Sequence, residues 1–353
     1  MTIGKNATPS AIVLDTGGGT SAFDPEVVTA AGIKLGQPIR AMGAGGETRE
    51  AWLLGDVSYS LPGVTLEGQS ITAISFRHLE ETTGRRMDGV LGSDFLRQFV
   101  VIIDYEGRKL HLHDPKSYQY EGDGHPLPLK FGGPIPTVKA TLNGTIDAEF
   151  MVDTGARMGV KASRMFVERA KLDDAANAVI EGGPGYGIGG ATAQGVARFD
   201  KFSVAGFDLP SPLVFLSRDS AGVFGKGESD GVLGGDVWRR FTVILDYPNK
   251  MMYLEPNASF NDLFEYDMSG LALRMDNESK GGFLVSAVLS NSPAEAAGMQ
   301  VGDRIEAVDD KPVASMVLED IRESFREAGR TVQVTRRRGD AVSVVTLTLK
   351  RLI

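Results

Sequence analysis

Phe150-Met151-Val152-Asp153-Thr154-Gly155-Ala156 restates, 138 residues later, Ile12-Val13-Leu14-Asp15-Thr16-Gly17-Gly18. In each copy three apolar residues, read as a buried strand, run straight into an Asp-Thr-Gly turn, which places a carboxylate at the edge of a hydrophobic core. Two such carboxylates held face to face cannot both ionise comfortably. Their repulsion raises one pKa, the pair keeps a single proton, and one member can act as general base while the other acts as general acid.

Three further elements recur in the same order. A helix-like segment follows each turn, at residues 25–31 and 163–170. Next come glycine-rich stretches, Gly43-Ala44-Gly45-Gly46-Glu47-Thr48 and Gly187-Ile188-Gly189-Gly190-Ala191-Thr192. Glycines at a hairpin tip let the backbone adopt positive φ and lie close to a ligand, so both stretches are expected to be flaps over a cleft. Then Asp88-Gly89-Val90-Leu91-Gly92-Ser93-Asp94 matches Asp230-Gly231-Val232-Leu233-Gly234-Gly235-Asp236, and each leads on to an Asp-Tyr pair at 104–105 or 246–247. Four elements at offsets of 138 to 144 residues establish an internal duplication. Strands at 100–103 and 242–245, each followed by another at 109–113 or 251–254, are expected to close the two lobes and to pair between them.

The copies differ at their starts. Residues 3–17 read as a β-hairpin turning through Gly4-Lys5-Asn6, whereas the second copy has an added leading strand at 135–142 with a turn at Asn143-Gly144. The first lobe is therefore expected to be shortened at its N-terminus, as removal of a signal peptide or anchor would leave it. Residues 257–268 read as a linker. Beyond it the pattern changes: a strand at 282–288, a short helix at Ser292-Pro293-Ala294-Glu295-Ala296-Ala297-Gly298-Met299, a helix at 317–328 and a closing hairpin over 332–349.

A formal charge of −9 and a pI near 5.1 argue against nucleic-acid partners. The absence of cysteine removes thiol nucleophiles, zinc-thiolate sites and disulfides. No apolar run approaches the roughly 18 residues of a membrane span. Residues 185–190 fit GxGxxG but lack the strand and helix a dinucleotide site needs. His111 and His113 share a strand face without a third metal ligand, and the histidines and serines show no triad motif. Arg336-Arg337-Arg338 before Gly339-Asp340 reads as a solvated hairpin turn.

The doubled motif resembles the aspartic proteases, and the lobe size and two flaps are similar to retropepsins. The implied fold is mostly β: two retropepsin-like lobes in one chain, residues 1–118 and 119–260, plus a C-terminal module at 269–353 that resembles a PDZ domain of the bacterial envelope-protease type. By this resemblance Asp15 and Asp153 hold the attacking water, Thr16 and Thr154 lock the two loops, and Gly17 and Gly155 make the tight turns. Gly45, Gly46, Gly189 and Gly190 fall at the flap tips. Gly18 stands where the family usually has Ala or Ser. In the PDZ-like module Gly281, Gly282, Phe283 and Leu284, after Lys280, would form the carboxylate-binding loop, and the strand that follows would pair with a peptide.

The activity this implies is aspartic endopeptidase cleavage of extended polypeptides without a cofactor, with C-terminal peptides as PDZ partners. Dimerisation is not required, because both aspartates lie in one chain. The resemblance favours the periplasm or cell envelope. A rival from another class is an inactive peptide-binding scaffold that works through its PDZ domain.

Overall fold

Each Asp-Thr-Gly turn ends a strand that lies parallel to the Val-Leu-Gly strand of its own lobe. In the computed structural model, which describes residues 1–4, 8–227, 229–276 and 282–353, Ile12–Leu14 pairs with Gly89–Leu91, and Ile146–Val152 pairs through Phe150, Met151 and Val152 with Gly231–Leu233. The chain then returns on the opposite side of the same strand, Ala22–Phe23 in lobe 1 and Val160–Ala162 in lobe 2, both antiparallel. A strand flanked on both sides must be apolar and closely packed, which Val90, Leu91, Val232 and Leu233 provide. Gly231 has no alternative, since a Cβ there would sit 1.9 Å from the carbonyl oxygen of Lys161.

Short helices follow the turns where the repeat places them. Pro25–Ala30 starts at Asp24, whose carboxylate caps the Glu26 amide at 3.0 Å, and proline occupies the first turn where its missing N–H costs nothing. Arg164–Ala170 is capped by Ser163.

The two lobes join through one five-stranded sheet. Val100–Asp104 pairs antiparallel with Phe241–Asp246, and Lys109–His113 and Met251–Pro256 extend the sheet on either side. One continuous apolar core runs from lobe 1 into lobe 2, with Phe23, Phe95, Phe150, Phe202, Trp238 and Phe241 among its most buried members.

The N-terminal hairpin expected from the sequence does not form as a ladder. Thr2–Ile3 pairs instead with the long strand Thr48–Leu61, while Ile12–Leu14 joins Gly89–Leu91. Burial of Ile3 decides this, because only the long strand carries it into the core. Residues 257–268 are packed rather than free: Phe264 is buried beneath the Arg240 guanidinium, 3.7 Å from the ring centre, and Phe260 lies against Phe207 and Phe241.

The C-terminal module has its own core around Phe283, Val285, Ile305, Leu318, Ile321, Phe325, Val332 and Leu347. Its strands run Leu271–Asp276, Gly282–Val288, Arg304–Val308, Thr331–Arg338 and Ala341–Thr348 in spatial order, so Leu271–Asp276 is an edge. Its helix is shorter than the sequence suggests, Leu318–Ser324. Among the described residues no helix is long and apolar enough to cross a membrane.

Candidate active site

Backbone geometry brings Asp15 and Asp153 together. The Asp15 amide donates to the Leu91 carbonyl and the Asp153 amide to the Leu233 carbonyl, both at 2.9 Å, so each aspartate is pinned to the strand beneath it. A Cβ added to Gly17 would lie 2.5 Å from Cγ of Asp153, and one added to Gly155 would lie 2.7 Å from Cγ of Asp15. Each turn glycine thus lets the opposite lobe's carboxyl group pass over it. Within its own lobe Asp15 Oδ1 accepts from the Gly17 amide and Asp153 Oδ1 from the Ala156 amide, each at 2.9 Å.

These surroundings raise both pKa values. Burial is the main cause for Asp15, partly offset by a hydrogen bond to Asp153 and by the amides of Gly17 and Gly18. Asp153 is pushed well above the ordinary carboxyl range, first by burial and then by the Asp15 charge. The two groups share a hydrogen bond, and with both values raised the proton belongs to the pair.

Thr16 and Thr154 form a two-fold lock. The Thr16 amide donates to Thr154 Oγ1 at 3.1 Å and the Thr154 amide to Thr16 Oγ1 at 2.9 Å. Each hydroxyl donates onward across the lobes, Thr16 to the Val152 carbonyl and Thr154 to the Leu14 carbonyl, both at 2.7 Å. Serine could supply these bonds, but threonine's branched Cβ restricts χ1 and holds the hydroxyl in place.

A second symmetric device lies beneath, at residues whose repetition is visible in the sequence but whose role is not. Asp88 Oδ2 accepts the Ala11 amide at 2.7 Å, and Asp230 Oδ2 accepts the Glu149 amide at 2.8 Å. Each of these carboxylates also pairs with an arginine, Arg86 or Arg169. They satisfy the amides just before the segments 12–14 and 150–152 that pair with the Val-Leu-Gly strands and lead to the aspartates, which fixes register before the turn.

The glycine-rich stretches of the two lobes meet each other. Gly45 and Gly189 form a parallel bridge, the Gly189 amide donates to the Ala44 carbonyl at 2.6 Å, and the Glu47 amide donates to the Gly189 carbonyl at 3.0 Å. Gly45 and Gly190 have φ of +98° and +96°, where side chains are strained. Gly46 follows Gly45 and faces Ala221. Arg49, beside the first stretch, donates through Nε to the Ile188 carbonyl of the second at 2.6 Å.

The sequence offers no hint of Lys161, which is 1% exposed and donates to Thr192 Oγ1 at 3.0 Å, above the Phe224 ring. Burial pulls its pKa down to about 8. Among the described residues no group of three or more His, Asp and Glu side chains is placed to hold a metal.

In the C-terminal module Gly282, Phe283 and Leu284 do not border an open edge. Their strand pairs with Leu271–Asp276 on one side and Arg304–Val308 on the other, so no peptide strand can add there. Gly281 and Lys280 lie outside the described residues. The edge strand beside helix Leu318–Ser324 is Leu271–Asp276. The arginine run is not a free turn either: Arg336 and Arg338 both pair with Asp303, which is 1% exposed.

No curated protein matches the chain. Among solved structures, the chain is similar to a photosystem II D1 C-terminal processing protease (26% identity, 28% of this chain and 26% of that one, TM-score 0.24). It is also similar to a retropepsin-like aspartic protease from Rickettsia conorii (17% identity, 38% of this chain and 100% of that one, TM-score 0.29). A third is a PDZ domain protein from Parabacteroides distasonis (22% identity, 24% of this chain and 20% of that one, TM-score 0.21). The chain spans about a quarter of the first of these. The sequence matches the family described as aspartyl protease over residues 1–95 and 138–237, more than half of its length, and a PDZ domain over 284–338. The chain therefore belongs to the aspartyl protease family, in its retropepsin-like form, and carries a C-terminal PDZ domain.

Proposed function

We propose that the chain is an aspartic endopeptidase in which Asp15 and Asp153 activate one water molecule against a peptide carbonyl. The observation that carries this reading is the mutual approach of the two carboxyl groups across Gly17 and Gly155, held by the four threonine hydrogen bonds. Both carboxyl groups have raised pKa values, so the pair keeps one proton, with one member ionised and its partner protonated. The ionised aspartate takes a proton from water as the water oxygen bonds to the carbonyl carbon, while the protonated partner hydrogen-bonds and protonates the carbonyl oxygen. The tetrahedral gem-diol then collapses: the C–N bond breaks, the proton taken from water passes to the leaving amine, and the partner that had protonated the carbonyl oxygen takes a proton back from a diol hydroxyl as the C=O re-forms.

The flaps set the substrate class. Their bridged tips must part to admit a chain and can then close over it with backbone hydrogen bonds, which suits an extended polypeptide. The PDZ domain would recruit substrates or regulators.

The closed flap bridge also favours a second reading, a peptide-holding scaffold without turnover. Cleavage of an unfolded protein substrate by wild type, Asp15→Asn and Asp153→Asn separates the two. The endopeptidase reading predicts cleavage by wild type and at least a thousandfold loss in either folded variant. Equal cleavage by all three would refute it, and no cleavage by folded wild type under any condition would favour the scaffold.

A further inference from the structure

A peptide that adds antiparallel to the PDZ edge strand Leu271–Asp276 must lie between it and helix Leu318–Ser324, with its C-terminus beside residues 267–271. That groove already contains part of lobe 1. The helix Arg77–Thr83 and its left-handed cap Gly84 pack against it. Arg274 Nη1 on the edge strand donates to Glu81 Oε2 at 2.8 Å. Arg322 Nη2 on the PDZ helix donates to the Thr82 carbonyl at 2.8 Å and also to the Leu273 carbonyl on the edge strand at 3.1 Å. A Cβ on Gly84 would sit 2.6 Å from Cβ of Leu318, so the cap presses directly on the first residue of the PDZ helix.

The carboxylate end of the groove is taken as well. Asp267 Oδ1 accepts the amides of Ser269 and Gly270 at 2.9 and 2.8 Å, and Ser269 Oγ accepts the Leu271 amide at 3.0 Å. The three amides that could hold a peptide C-terminus are therefore donating within the chain. Arg157, four residues beyond Asp153, closes the other side of the PDZ helix through Glu319 at 3.0 Å.

We propose that residues 77–84 of lobe 1 are the resident occupant of the PDZ groove, so that an extended peptide with a free carboxylate binds only by displacing them. The displaced helix also touches the opposite flap, where His78 Nε2 lies 3.2 Å from the Gly187 carbonyl, two residues before the flap-tip Gly189. Resting on the endopeptidase reading, this gives a PDZ ligand a direct mechanical route to the cleft. A groove filled from within binds its ligand more weakly by the fraction of time it stands open.

The absence of cysteine makes the test clean. Glu81→Cys and Arg274→Cys in one otherwise intact chain remove the ion pair while the thiols are free, and lock the segment in place when joined by a short reducible bis-thiol linker. The probe is a randomised decapeptide pool with free C-termini, with an amidated pool as control, passed over immobilised protein. The unlinked form should retain at least tenfold more free-carboxylate peptide than wild type, the linked form only background, and reduction of the linker should restore retention. Equal retention by linked and unlinked forms, or background retention by every form, overturns the proposal. Because linked and unlinked states are the same polypeptide, a folding defect would appear in both. Proteolysis is read separately: its absence in all forms refutes the endopeptidase reading and leaves the groove result standing.

Discussion

Gly17→Ala is the substitution whose consequence follows most directly from the site. The added methyl would lie 2.5 Å from Cγ, 2.7 Å from Oδ2 and 2.8 Å from Oδ1 of Asp153. Ordinary contact begins near 3.4 Å, so the Asp153 carboxyl group or the lobe 1 turn must yield by about 1 Å. Gly17 does not have positive φ, so the change introduces no backbone strain of its own, and the whole effect is steric. A displacement of about 1 Å in a reacting group costs on the order of a hundredfold in rate. Overpacking costs about 1–3 kcal/mol of stability. The assay is kcat and KM on an unfolded protein, with thermal melting alongside. The control is Gly55→Ala, where an added Cβ meets nothing within 4 Å and activity should be unchanged. The expected result is a kcat loss of about a hundredfold with a cooperative melt retained. A Gly17→Ala enzyme with half or more of wild-type kcat would refute the claim that the two carboxyl groups work in contact across this glycine.

Other expectations follow from single groups. Thr16→Val removes a fully buried hydroxyl that donates to Val152 and accepts from Thr154, leaving both partners unpaired; a loss of about 2–4 kcal/mol should appear in chemical denaturation, with kcat falling as well. Lys161 has its folded pKa lowered to about 8 from 10.5, so the unfolded chain binds more protons between those values and stability should rise with pH across that window. Lys161→Met should therefore stabilise the protein by about 2–3 kcal/mol at pH 7, the gain shrinking by pH 10, as read from melting temperatures at both pH values.

What could be read in the sequence was local or repeated. Asp15 and Asp153 stand out because a short motif recurs with its neighbours in register, and the same repetition exposes the glycine-rich stretches that meet at Gly45 and Gly189. What could not be read depends on which strand ends at an edge and which lies inside. Gly282 and Phe283 look like the start of a peptide-binding strand, yet pairing with Asp276 and Met275 on one side, and of Phe283 with Ile305 on the other, puts their strand inside the sheet. The N-terminal hairpin failed for the same reason, since Ile3 finds its core partner on Thr48–Leu61 rather than on its neighbour in sequence. Lys161 sits on a strand that reads as apolar, and nothing nearby in sequence supplies Thr192 or Phe224. The contacts of Arg274 and Arg322 with lobe 1 span 193 and 240 residues, a separation no motif encodes.

The shared proton of the Asp15–Asp153 pair is tested most directly by the pH dependence of kcat/KM on an unfolded protein, measured from about pH 3.5 to 7.5 to span ordinary and raised carboxyl values. In the proposed mechanism, activity requires one proton on the pair. It should fall at low pH as the ionised member is protonated, and fall again as pH rises through the pair's raised upper pKa, where the last proton is lost. The account predicts a bell whose two limbs belong to the pair. A rate that rises with pH to a plateau at neutrality, as a single deprotonated base would give, would contradict it.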